Sequence, residues 1–227
     1  MLDIGIVWIR EDFRIENNPA LSYATENHKY VIALYIYNKT DYDNTREAQK
    51  WWLSKSLEIF KKDLALYNIN LQILVGNEID IFSKIKKKDN ISIYWNKIYE
   101  PDVIAKGKKI RDIFQKNQIN FKYFKGNILN EFQDVTKNDG TPFKVFTPFW
   151  RNAEQKYINS PPGKNYKVKK KSSSKVFFKN SVDSKSILPK KNWYKKFEKY
   201  WNVSENDSKK ILKNLLEKKN KRLWHFS

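Results

Sequence analysis

The side chains that most often carry catalysis are scarce in this sequence. It contains no cysteine, and its two histidines, His28 and His225, lie far apart without a convincing partner near either. That argues against a histidine-based triad or metal site, and it excludes thiolate chemistry and disulfides. Both histidines read as ordinary surface residues. No G-x-G-x-x-G follows the first apolar run, and no G-x-x-x-x-G-K-[ST] occurs, so the usual dinucleotide fingerprint and the phosphate-binding loop are absent. A cysteine-free chain suits a reducing, cytoplasmic setting. On these signals alone the sequence describes a cytosolic α/β protein with a basic tail.

Charge is the next source of chemistry, and it is unevenly spread. Residues 1–150 carry 23 Lys and Arg against 19 Asp and Glu, a net of +4, whereas residues 151–227 carry 22 against 6, a net of +16. A basic block of this kind suits nucleic-acid contact, because each cation near a phosphate releases condensed counterions. A second reading stands beside it: Lys, Asn and Ile are abundant throughout, as an A/T-rich coding sequence would give. With 40% hydrophobic and 15% aromatic residues the chain can bury a core. No run of 18 apolar residues occurs, so no membrane partner is expected.

The elements that must position any site follow from periodicity. Short, nearly continuous apolar runs at Ile4–Ile9, Val31–Tyr37, Leu71–Val75, Ile91–Trp95 and Phe121–Phe124 read as strands buried on both faces. Between them lie helical patterns. One starts at Pro19, with Asn17 or Asn18 as its cap. The others run over about 45–67, 79–86 and 101–115. Strand and helix alternate without a hairpin. The expected fold class is therefore α/β, a five-stranded doubly wound parallel sheet (Rossmann-like) with a basic, partly helical C-terminal extension. The expected divisions are an α/β domain over 1–130, a loop and linker over 131–192, and the start of a helical region over 193–227.

Four segments carry a resemblance. Trp8-Ile9-Arg10-Glu11-Asp12-Phe13-Arg14 with Asn18-Pro19-Ala20-Leu21 resembles the W-F-R-x-D-L-R…D-N-P-A-L opening of DNA photolyases and cryptochromes, departing at Ile9, Phe13 and Asn17. Arg46-Glu47-Ala48-Gln49-Lys50-Trp51-Trp52-Leu53 looks like that family's second helix. Tyr94-Trp95-Asn96 with Tyr99-Glu100-Pro101 is similar to its Y-W-N-x-x-Y-E-P signature, and Phe143 to Trp150 to its Y-x-V-F-T-P-F-W motif. The match covers residues 3–152 well and the remainder loosely. It implies an N-terminal antenna-chromophore domain of a light-driven DNA repair protein. The alternative is a stand-alone module that binds a nucleotide-like ligand or nucleic acid without catalysis. Whether the chain is itself an enzyme is left open.

In the resembled family the cleft at the carboxyl ends of the strands holds an antenna, a reduced folate or a deazaflavin and in some members a flavin. The resemblance places Arg10, Ile36, Tyr37, Arg46, Lys50, Asn96 and Glu100 there. A planar ligand needs a flat wall, which Tyr37, Trp51 and Tyr99 are suited to supply. Arg46 and Lys50 suit an anionic tail, and Glu100 suits the donors of a pterin-like ring. A structural reading competes for most of these. Arg10, Asp12 and Arg14 suit an ion-pair cluster, Tyr99 and Glu100 suit a turn, and one of the adjacent Trp51 and Trp52 should face the core. Phe143, Phe146, Phe149 and Trp150 read as interdomain packing and, uncovered, as a self-associating patch, with Pro148 holding Thr147 extended. Lys144 and Arg151 are candidate DNA contacts. No catalytic residue is expected here, because nothing matches the helical domain that binds FAD. A separate FAD-binding domain is thus an expected partner, as is DNA through the basic C-terminal part.

Overall fold

The structure is a computed structural model that describes residues 3–42, 47–86, 90–159 and 165–223. Five strands, β1 (Asp3–Ile9), β2 (Tyr30–Tyr37), β3 (Asn70–Val75), β4 (Asn90–Asn96) and β5 (Asn120–Phe124), form one parallel sheet in the order β3-β2-β1-β4-β5. The helices α1 (Pro19–Asn27) and α2 (Glu47–Ala65) pack on one face through Leu21, Ala24, Leu57, Phe60 and Leu64. On the other face lie α3 (Glu78–Ser83) and α4 (Pro101–Lys116), with Phe82, Ile110 and Phe114 fully buried among Trp8, Ile32, Ile93 and Trp95. Burial on both faces is why the central strands read as unbroken apolar runs. The chain winds outward through β1, β2 and β3, then returns to build β4 and β5. Its strand order therefore reverses between β1 and β4, where parallel sheets open a crevice at their carboxyl edge.

Local chemistry fixes the entry to α1. Asn18 is the cap, its side chain accepting the Leu21 amide at 3.2 Å, with Pro19 beginning the helix. Asn17 adopts φ +49°, a left-handed conformation that asparagine tolerates better than most residues. Two expectations change. His28 is 8% exposed rather than on the surface: its Nδ1 lies 2.6 Å from Asp3 and its Nε2 2.7 Å from the buried Tyr94 hydroxyl. Those two polar partners make burial of the imidazole tolerable. Thr147 is not extended but helical, because α5 (Phe146–Asn159) starts before it and takes Pro148 into its first turn. There the missing N–H has no partner to lose. Phe146, Phe149 and Trp150 remain exposed, and Trp51 is buried while Trp52 is not.

Residues 165–187 have no repeating pattern, yet they are tied to the domain along their length. The Ser22 hydroxyl donates to the Lys167 carbonyl, the Lys169 amide donates to Thr25 Oγ1, and the Lys171 amide donates to the Tyr67 carbonyl. Farther on, the buried Gln72 side chain accepts from the Phe177 and Phe178 amides and donates to the Phe178 carbonyl. Val182 bridges Ile73 in antiparallel fashion. This strap covers the outer edge of β3 at Ile73, whose amide donates to the Ser181 hydroxyl and whose carbonyl accepts the Val182 amide. The C-terminal extension ends in a 3₁₀ helix, Asn192–Lys199, and in α6 (Glu205–Leu223). Glu205 accepts the Ile15 amide at 2.8 Å.

Candidate functional site

The crevice at the β1/β4 reversal is organised around Asn96, the last residue of β4. Its Oδ1 accepts the Ala20 amide at 3.1 Å, and its Nδ2 donates to Asn18 Oδ1 at 2.8 Å and to Asp12. The Asn96 carbonyl accepts from Arg10 Nη2. Asp12 in turn accepts the Arg10 backbone amide, and Asn18 Nδ2 donates to the Arg14 carbonyl. The opening motif is thus a lock in which Asp12 and Asn18, on one segment, grip the end of β4. Asn96 has every polar group occupied by the protein, so its role is to position Arg10.

Arg10 lies over the Trp8 ring at 4.7 Å. Burial pulls its guanidinium down to about 10, against the opposing pull of Asp12, Glu11 and Glu78, so it remains a cation at neutral pH. Its Nε is buried and has no hydrogen-bond partner among the described residues. An unmade bond on a buried cation is costly, which marks Arg10 as a group with a hydrogen bond still to make. Arg10 borders a cavity of about 250 Å³ between α4, β5 and the loop over 125–133, walled by Trp95, Tyr99, Tyr123 and Phe132. Lys97 and Arg111 each stand 5.4 Å from the Tyr123 ring. Glu131 takes Lys97 Nζ at 3.0 Å and the Tyr99 hydroxyl at 2.9 Å. Burial and Glu131 push the Tyr99 phenol up to about 12, so it stays a donor.

The expected site residues divide. Arg10 lines the cavity, Asn96 holds Arg10, and Glu100 is exposed at the cap of α4 beside Tyr99 in the chain. Ile36 and Tyr37 are buried on opposite faces of β2, and Lys50 lies in the first turn of α2. Arg46 falls outside the described residues. Of the three expected wall aromatics only Tyr99 faces the cavity; Trp51 packs on Phe197 at 5.4 Å. Sequence reasoning missed Lys97, Arg111, Tyr123 and Glu131. Lys97 sits inside the Tyr-Trp-Asn…Tyr-Glu-Pro stretch, and Arg111 is one turn beyond Gly107 on the same helix face, so both had a signal. Glu131 comes from an aperiodic loop and had none.

Gly126 packs against Tyr99 and Lys97, two residues of the cavity wall. Its amide donates to the Tyr99 hydroxyl at 3.1 Å, and a Cβ there would sit 2.0 Å from the Lys97 carbonyl oxygen. Backbone cannot yield as a flexible side chain does. Gly126→Ala should therefore displace the loop and destabilise the domain by about 2 kcal/mol or more. Urea denaturation checks this, and an unchanged midpoint would contradict the close approach.

The DNA photolyase family model matches residues 5–170 of this sequence. The chain belongs to that family. A deoxyribodipyrimidine photo-lyase of Agrobacterium fabrum is 28% identical to this photolyase-family chain over 206 residues, 88% of the chain and 42% of the relative. The solved class III photolyase from Agrobacterium tumefaciens superimposes with a TM-score of 0.80 at 25% identity, covering 96% of this chain and 45% of that one. An archaeal photolyase from Sulfolobus tokodaii, solved with two FAD molecules, superimposes at 0.62 and 21% identity, covering 81% and 40%. The photolyase-family chain thus spans less than half the length of these relatives, and it corresponds to their N-terminal α/β part. Among the described residues no helix is long and apolar enough to cross a membrane.

Proposed function

We propose that the chain is the antenna-chromophore domain of a light-driven DNA repair protein, and that the Arg10 cavity receives the chromophore. One observation carries the reading: Arg10, a buried cation whose Nε has no hydrogen-bond partner among the described residues, lines an aromatic-walled cavity where the strand order reverses. The volume, about 250 Å³, falls just below the roughly 300–1,000 Å³ of ligand pockets. It therefore suits one planar ring system, such as that of a reduced folate, a deazaflavin or a flavin, and not a whole FAD. Arg10 and Arg111 would meet carbonyl or anionic groups, and Tyr99 and Tyr123 the ring. When bound, the chromophore absorbs near-ultraviolet or blue light and passes the excitation on. Ile36, Tyr37, Arg46, Lys50 and Glu100 remain candidates for the rim and tail.

FAD belongs, on this reading, to a separate helical domain that partners this one. DNA contact is assigned to the basic C-terminal part and to Lys144 and Arg151, both exposed at the start of α5. The net +16 of residues 151–227 favours a second reading, a nucleic-acid-binding module with no chromophore.

The test uses Gly107, which lines the cavity from α4 and whose Cβ would touch only Arg111, at 3.7 Å. Gly107→Leu should fill the cavity without unfolding the helix. The wild-type protein should quench the fluorescence of an added reduced folate, deazaflavin or flavin, and the variant should bind about tenfold or more weakly. A wild-type protein that binds none of the three, or a variant that binds as tightly, would overturn the assignment.

A further inference from the structure

A second concavity lies away from the chromophore cavity. It measures about 590 Å³ and is lined by Leu74, Val75, Ile81, Ile85, Phe177 and Phe178, with Lys84 and Lys86 at its mouth. None of its lining residues is a carboxylate. One wall is the strap, whose Phe177 and Phe178 rings meet edge to face at 4.8 Å. These rings are fixed from behind, because their amides are bonded to the buried Gln72 side chain. Lys179, between Phe178 and Asn180, is exposed, and Lys175 lies 5.1 Å from the Tyr30 ring. No Asp or Glu occurs from residue 155 to residue 182, so this part of the strap carries no acidic side chain of its own.

We propose that this groove binds single-stranded nucleic acid, an unpaired base entering between the strap phenylalanines and α3 while Lys84, Lys86, Lys175 and Lys179 follow the backbone. The chemistry points to this class for three reasons. Aromatic rings interleaved with lysines recognise the π-face of any base and the charge of any phosphate. The volume accommodates a base but not a duplex, whose bases are already stacked. A rigid strap presents its lysines without the ordering cost of a disordered tail. The groove shares no lining residue with the Arg10 cavity, so the proposal stands or falls apart from the chromophore reading.

The experiment is fluorescence anisotropy of the full chain with labelled oligothymidine, its ribose counterpart and a duplex of equal length. The deoxy and ribo arms show which sugar is preferred. The single strands should bind more tightly than the duplex. Lys84→Gln with Lys86→Gln should lower the dependence of log affinity on log salt by roughly 1.4. Phe177→Ala should weaken binding by about tenfold, with its melting temperature measured alongside. The control is Lys108→Gln with Lys109→Gln, which removes the same charge from exposed positions on α4. Duplex binding equal to that of the single strand would overturn the proposal. So would an α4 pair that weakens binding as much as the groove pair, because net charge alone would then account for it.

Discussion

Asn96→Ala should lower the unfolding free energy by about 3 kcal/mol, and the melting temperature by roughly 6–12 °C. The side chain joins three segments: the Ala20 amide at the start of α1, Asn18 at its cap, and Asp12 in the loop after β1. Truncation leaves the Ala20 amide and an Asp12 oxygen without these partners inside the fold, and each such group costs on the order of 1–3 kcal/mol. Asn96→Asp separates hydrogen bonding from shape. It preserves the volume but cannot donate, and it sets one carboxylate against that of Asp12. It should be at least as destabilising as alanine. Arg10 is held by the Asn96 backbone carbonyl, which both variants keep, so chromophore binding should survive at temperatures where the domain is still folded. Denaturant melts and ligand titrations on the same samples decide this. An Asn96→Asp protein as stable as wild type would show that the lock is not formed as described.

His28→Leu should cost about 2–3 kcal/mol by a different route. Desolvation raises the Tyr94 phenol, so that hydroxyl keeps its proton and donates to His28 Nε2, leaving Nδ1–H to face Asp3. Burial works to raise the Asp3 carboxyl, but the Lys29 amide and the His28 ring together hold it below its ordinary value of 3.8. The sign follows directly. A group with a depressed folded value stabilises fully above its unfolded value and loses that contribution as pH falls through the folded one. The gap between wild type and variant should thus be largest near neutrality and narrow below about pH 4. The acid-sensitive part is small, because the Asp3 side chain is 35% exposed and solvent screens it. Gly5→Ala offers an independent check, since its Cβ would stand 2.8 Å from His28 Cδ2 and tilt the ring off its partners. A His28→Leu gap that widened in acid would contradict the Asp3 assignment.

Most of the fold was legible because both faces of the sheet are buried. The runs read as strands at Ile4–Ile9 and Leu71–Val75 fall within β1 and β3, one residue short at the start. Alternation without hairpins was enough for a parallel, doubly wound sheet. The start of α1 was legible through Asn18 and Pro19, and its partner Asn96 was not. Nothing in a linear pattern shows that an amide at the end of β4 serves the cap of α1, 76 residues away from Ala20. His28 failed for a related reason: its partners, Asp3 and Tyr94, are 25 and 66 residues distant. At the site, the resemblance brought forward Arg10 and Asn96 together, and the structure brings them into contact. The cavity wall was harder to read, since Tyr123, Arg111 and Glu131 meet only once β5, α4 and the following loop are assembled.

The strap over β3 has a consequence for how these molecules meet one another. A sheet with two bare edges can accept a neighbour on either side and grow without limit. Here one margin is occupied by the chain's own Val182, bonded to Ile73, while no described segment pairs with β5 on its outer side. The molecule is therefore one-handed in its capacity to join sheets. Two copies brought together at β5 would exhaust each other's vacancy, and the product would be a closed pair rather than a filament.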